Sequence, residues 1–153
     1  MSLSRTLLQR LRRIGAESFG VDLRSLAIMR ILLGFMLLWD LVVRSRYLTT
    51  FYTDEGAVPR QTVVNIWHNP TAISAYLMSG SWVWVSLLFI LAGFCSFCFM
   101  IGCRTRLMGF LSWFMLIGLH IRNPLVLNGG DTMFRCLLFW CLFLPMGARY
   151  SID

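Results

Sequence analysis

Long apolar runs alternate with short polar breaks along this chain, and the length of each run decides what it can become. Residues 26–43 make an eighteen-residue run, which as a helix rising about 1.5 Å per residue just reaches across a hydrocarbon core of about 30 Å when its flanks help. Residues 82–103 continue for twenty-two residues without a charge. A short Arg104-Thr105-Arg106 turn leads into 107–121, and a last run, 132–146, is closed by Pro145 and Gly147. These last two are only about fifteen residues long, so crossing requires local thinning or snorkelling at their ends. The pattern predicts an all-α integral membrane bundle of four transmembrane helices.

The polar stretches are of two kinds. Residues 3–14 place Leu3, Leu7, Leu11 and Ile14 at three- and four-residue spacing, with Arg5, Arg10, Arg12 and Arg13 on the remaining positions. That period predicts a basic amphipathic helix lying on an anionic membrane surface. It is not a cleavable leader, because the run that follows carries Arg30 and Asp40 and no small-residue cleavage site closes it. Between 44 and 81 lie the turn formers Asp54, Glu55, Gly56, Pro59, Asn69 and Pro70, with Tyr47, Phe51, Tyr52, Trp67 and Tyr76 among them. Within it, 71–78 is bounded by Pro70 and Gly80 and reads as a short interfacial helix, at the depth that amphipathic aromatic rings favour. The organisation is thus a basic segment, 1–24, followed by a transmembrane domain, 25–153.

Composition agrees and adds a direction. Hydrophobic residues make up 58% and charged residues 14% of 153, and the mean hydropathy is +0.69. That excludes a disordered chain, a disulfide-rich secreted scaffold and a collagen-like repeat. All fourteen basic residues are arginine, against seven acidic ones, giving +7. Without lysine the chain can build neither a Schiff base nor a lysine general base. A nucleic-acid binder would gather its arginines on one face of a soluble domain. Here they punctuate the apolar runs. Placing the amino terminus in the cytoplasm puts Arg5, Arg10, Arg12, Arg13, Arg24, Arg104, Arg106 and Arg149 inside and only Arg44, Arg46, Arg60 and Arg122 outside. The positive excess therefore reads as topology, with both termini cytoplasmic in a cell inner membrane, and nucleic acid is not an expected partner.

With this topology the outer side collects the polar residues that a bilayer should exclude. The loop before the fourth run reads His120-Ile-Arg122-Asn123-Pro-Leu-Val-Leu-Asn128-Gly-Gly-Asp131, and Arg135 follows one turn into the next helix. Asp131 is placed to cap that helix, and its i, i+4 relation to Arg135 predicts an ion pair just below the surface. Ionisable groups at membrane depth mark a polar pocket or pathway. The candidate pocket is Asp40, His120, Arg122, Asn128, Asp131 and Arg135, open to a lipid-soluble or anionic molecule. Asp40 and Arg44 stand in the favourable acid-before-base order, while Arg30, near the inner end of its run, is expected to snorkel. His68, in Trp67-His68-Asn69-Pro70, reads as a turn histidine.

Cys95-Ser-Phe-Cys98 has the spacing of a redox pair, but it falls in the middle to inner half of the second run, and none of the five cysteines lies in an outer loop. They read as small apolar packing residues. Two histidines and no four-ligand set leave no expected metal site.

Two stretches resemble the HTTM family, bacterial membrane proteins similar to vitamin K-dependent gamma-carboxylase. One begins Asp22-Leu-Arg-Ser-Leu-Ala and continues through Arg30 and Asp40 to Phe51-Tyr-Thr-Asp-Glu-Gly-Ala-Val-Pro-Arg60. The other is Arg122-Asn-Pro-Leu-Val-Leu-Asn-Gly-Gly-Asp131, then Arg135, then Phe143-Leu-Pro-Met-Gly-Ala-Arg-Tyr-Ser-Ile-Asp153. With Gly102-Cys-Arg-Thr-Arg106 they cover most of the chain. The resemblance implies a multi-helix membrane domain with its active site at the outer face, and a quinol as the cofactor of the carboxylase chemistry. It also implies further helices, containing the base lysine, beyond the segment matched by 147–153. In place of the carboxylase's Asn-His this chain has Asn128-Gly129-Gly130-Asp131, as bacterial members do. The expectation is a multi-pass module corresponding to the N-terminal part of such a domain, without complete catalytic machinery by itself. The alternative expectation is half of a split quinone-dependent carboxylase-like enzyme, supplying pocket residues to a partner chain.

Overall fold

Asp22 starts the first long helix by accepting hydrogen bonds from the Arg24 backbone N–H, at 2.9 Å, and the Ser25 hydroxyl, at 3.2 Å. From there the computed structural model describes residues 22–66, 74–147 and 151–152. Its elements are α1 (Leu23–Ser45), α2 (Leu48–Tyr52), α3 (Arg60–Ile66), a 3-10 turn (Ala75–Leu77), α4 (Trp82–Ile101), α5 (Thr105–Arg122), a second 3-10 turn (Pro124–Val126) and α6 (Gly129–Cys141). Among the described residues there are six α-helices and no strand. The basic segment 1–21, the Trp67-His68-Asn69-Pro70 stretch with the start of the expected interfacial helix, and Arg149 lie outside the described residues.

Length and apolarity allow two of these helices, Leu23–Ser45 and Trp82–Ile101, to cross a membrane. The runs at 107–121 and 132–146 appear as α5, of 18 residues, and α6, of 13. At about 1.5 Å per residue, α6 reaches only about 20 Å.

The helices join by tight connections. Ser81 caps α4, and Gly102 closes it at a φ of 85°. The Gly102 N–H bonds the Phe99 carbonyl at 3.2 Å and the Cys103 N–H bonds the Cys98 carbonyl at 2.9 Å, the paired reversed bonds of a Schellman end. Arg104 follows, itself left-handed at φ 42°, and α5 sets off antiparallel to α4. α4 packs against both α1 and α5, and α6 leans on α5. At the α1–α4 crossing the backbones come close, since a Cβ on Gly34 would stand 2.6 Å from the Met100 Cβ.

Two apolar clusters fill the bundle. One, around Leu33, Leu37, Phe99, Leu116 and Leu138, lies toward the Gly102 end. The other, around Leu41, Val85, Phe89 and Leu119, takes in Tyr52 and Tyr76 from the connecting segment, each ring meeting Phe89 edge-on. The exterior is as apolar as the core. Phe35, Trp39, Ile90, Phe94 and Trp140 are all exposed, while Arg30 and Arg122 are fully buried. A water-facing surface reverses that arrangement, and contiguous exposed apolar faces mark contact with a bilayer or a partner. Arg30 does not snorkel. Its Nη1 donates to the Met146 carbonyl at 3.0 Å, because the long side chain turns inward under the Gly102 turn.

Candidate functional site

Arg44, in the last turn of α1, organises the end of the bundle where the long connection enters. Its Nε lies 2.8 and 2.7 Å from the two carboxylate oxygens of Asp40, one helical turn back. Its Nη1 donates to the Tyr52 hydroxyl at 3.1 Å, and its Nη2 to Asp131 Oδ1 at 2.8 Å. One planar guanidinium therefore ties α1, α2 and α6 together. The group is nearly enclosed, with Arg44 9%, Asp131 14% and Asp40 29% exposed. Burial pushes the Tyr52 phenol above its ordinary range, although the hydrogen bond from Arg44 pulls the other way. Burial likewise pushes the Tyr76 phenol up.

Asp131 plays a different part from the one its sequence position suggests. Asn128 is the N-cap of α6, its Oδ1 accepting the Asp131 N–H at 3.1 Å, and Asp131 Oδ2 accepts the Asn128 N–H at 2.9 Å in return. Nor does Asp131 pair with Arg135, because a side chain in the first turn leans toward the helix start and the capping box holds this carboxylate there. Arg44 reaches it instead. Arg135 is half-buried and makes no hydrogen bond or ion pair with any described residue.

Of the other sequence candidates, His120 is buried with its Nε2 unpartnered among the described residues, within electrostatic reach of Arg44, Asp131 and Arg135. Arg122 belongs to a separate network. Its Nη1 donates to the Val58 carbonyl at 2.9 Å and its Nη2 lies 3.4 Å from Asp54, which also holds Arg60 Nε at 3.0 Å. Arg60 Nη1 in turn donates to the Met78 carbonyl at 2.8 Å, and the Asn123 amide donates to the Phe51 carbonyl at 3.0 Å. These contacts fasten the connection between α1 and α4 over the helix ends. Cys95, Cys98 and Cys141 are buried free thiols, and Cys136 is exposed on α6.

A groove of about 450 Å³ runs between α1 and the first half of α6. Phe35, Met36, Trp39, Val43 and Phe134 form its walls, and Asp40, Asn128, Gly130 and Asp131 its polar parts. Three of the six sequence candidates, Asp40, Asn128 and Asp131, meet here; His120, Arg122 and Arg135 do not line it. Arg44, which holds Asp40 and Asp131, and Tyr52, which accepts from Arg44, are the residues of this cluster that sequence reasoning left out of the candidate pocket. The i, i+4 spacing of Asp40 and Arg44 was a usable signal for the first, and nothing in the spacing of Tyr52 distinguished it from its aromatic neighbours. No protein family, curated protein or solved structure matches this chain.

Proposed function

We propose that this chain is a multi-pass membrane protein of HTTM-like architecture whose groove between α1 and α6 receives a lipid-soluble, hydroxylated molecule from the bilayer. In this reading α1, α4, α5 and α6 all cross the inner membrane, the last two by local thinning of the bilayer and snorkelling at their ends, with both termini cytoplasmic. The observation that carries it is the groove: aromatic and aliphatic walls exposed along the flank of the bundle, with two carboxylates among them. Asp40 and Asp131 share one guanidinium, so with both carboxylates ionised the three groups carry a net negative charge. An anionic head group is repelled there, and a hydroxyl can donate to the lone pairs that Arg44 leaves open. A quinol, the cofactor that the family resemblance implies, has such hydroxyls. Without lysine, and with Gly-Asp at positions 130–131, the chain alone is read as a binding module.

Photolabelling in nanodiscs tests the groove with a long-chain alcohol carrying a diazirine near its tail. Label is expected on Phe35, Trp39 and Phe134. Labelling spread equally over the exposed face of α4, at Leu87 and Ile90, would remove the groove as a site. Reporter fusions after positions 66, 104 and 127 test the crossings, and all three on one side would remove the four-span topology.

A further inference from the structure

Asp40 also lines a small chamber of about 10 Å³, together with residues of the core. Its lining is mostly aliphatic, yet it includes Asp40, Tyr76, Ser96 and Ser112. The Tyr76 hydroxyl, on a fully buried side chain, and the Ser112 hydroxyl, on one 2% exposed, have no hydrogen-bond partner among the described residues. Ser96 is occupied as a donor by the Ala92 carbonyl, at 2.8 Å, and keeps its acceptor side. An unpaired buried hydroxyl costs on the order of 1–3 kcal/mol, so two around one chamber call for a shared partner. A volume of roughly 10–15 Å³ is what one water needs, together with two to four polar partners.

We infer that the chamber holds one ordered water that bridges Tyr76 and Ser112 to Asp40, so that a hydrogen-bonded chain runs from the groove's carboxylate to a phenol in the protein interior. A second water does not fit. A sodium ion fits less well than water, since both Asp40 oxygens already face the Arg44 guanidinium at 2.7–2.8 Å and the other donors are neutral hydroxyls. Tyr76 and Ser112 do not line the groove, so the water can be tested apart from what the groove receives.

Crystals of the full chain grown from a lipidic phase test it directly. The expected result is a single peak about 2.6–3.2 Å from the Tyr76 and Ser112 hydroxyls and an Asp40 oxygen. A chamber without density overturns the inference, as does a peak ligated at metal-like distances of about 2.4 Å. A mutant cycle in nanodiscs adds a second reading. Tyr76→Phe and Ser112→Ala should each raise the unfolding equilibrium constant about tenfold, and the double variant little more than either alone, because the first change already removes the shared partner. A hundredfold effect in the double variant overturns the shared water. If Tyr76→Phe does not fold, the density in the unaltered protein decides alone.

Discussion

Arg30 and Arg44 sit on one helix, about 21 Å apart along its axis, and both are buried, yet they tie that helix to different parts of the chain. Arg30 reaches across the chain to a backbone carbonyl, that of Met146. Arg44 is surrounded by two carboxylates and a phenol. The Met146 contact fastens two segments far apart in the chain. Two carboxylates around one guanidinium over-neutralise it, and in the proposed reading that surplus meets the hydroxyl of the bound molecule. Of the two, only Arg44 adjoins the groove, through Asp40 and Asp131.

The strongest test of that contrast is Arg44→Leu, which leaves Asp40 and Asp131 facing each other without their cation. It should destabilise the protein by about 3–5 kcal/mol in chemical unfolding from nanodiscs. The contrast fails if Arg30→Leu lowers photolabelling of the groove as much as Arg44→Leu does. Next, Gly102→Ala probes the Arg30 end: φ is 85° there, and the new Cβ would stand 2.6 Å from Arg30 Nη1. A loss of about 2 kcal/mol is expected, shown as a lower unfolding midpoint, with photolabelling of the groove unchanged. Tyr52→Phe removes one hydrogen bond to a charged group and should cost about 1.5 kcal/mol in the same assay. The smallest effect is Asn128→Ala, about 1 kcal/mol from the lost cap of α6. It sharpens the comparison further if groove labelling falls as well, since Asn128 also fixes the Asp131 carboxylate.

Local periodicity made the helices legible. The runs at 26–43, 82–103 and 107–121 lie within two residues or so of α1, α4 and α5 at most ends, because apolar length and the flanking Asp22, Ser81 and Gly102 are local signals. The last run was shifted: α6 begins at Gly129, three residues before the expected start, since Asn128 caps it and the glycines stay helical. In the site, Asp40 with Arg44 was visible at four-residue spacing. Arg44 with Asp131 was not, because 87 positions separate them, nor was Arg122 with Asp54, 68 apart. Spacing along one helix favoured Asp131 with Arg135, and tertiary packing supplied a better donor. The same limit hid Tyr76 and Ser112, ordinary residues until the fold brings them to one chamber.

The close approach of Gly34 to Met100 has a mechanical consequence. α1 is gripped at three heights: by Arg30 at one end, by backbone contact with α4 midway, and by Arg44 at the other end. A rod held so is a fixed post. The opposite wall of the groove, α6, is short, leans on α5 and is tethered to α1 through Asp131. The Arg44–Asp131 pair is thus the ion pair that ties the two walls of the groove together across its polar end.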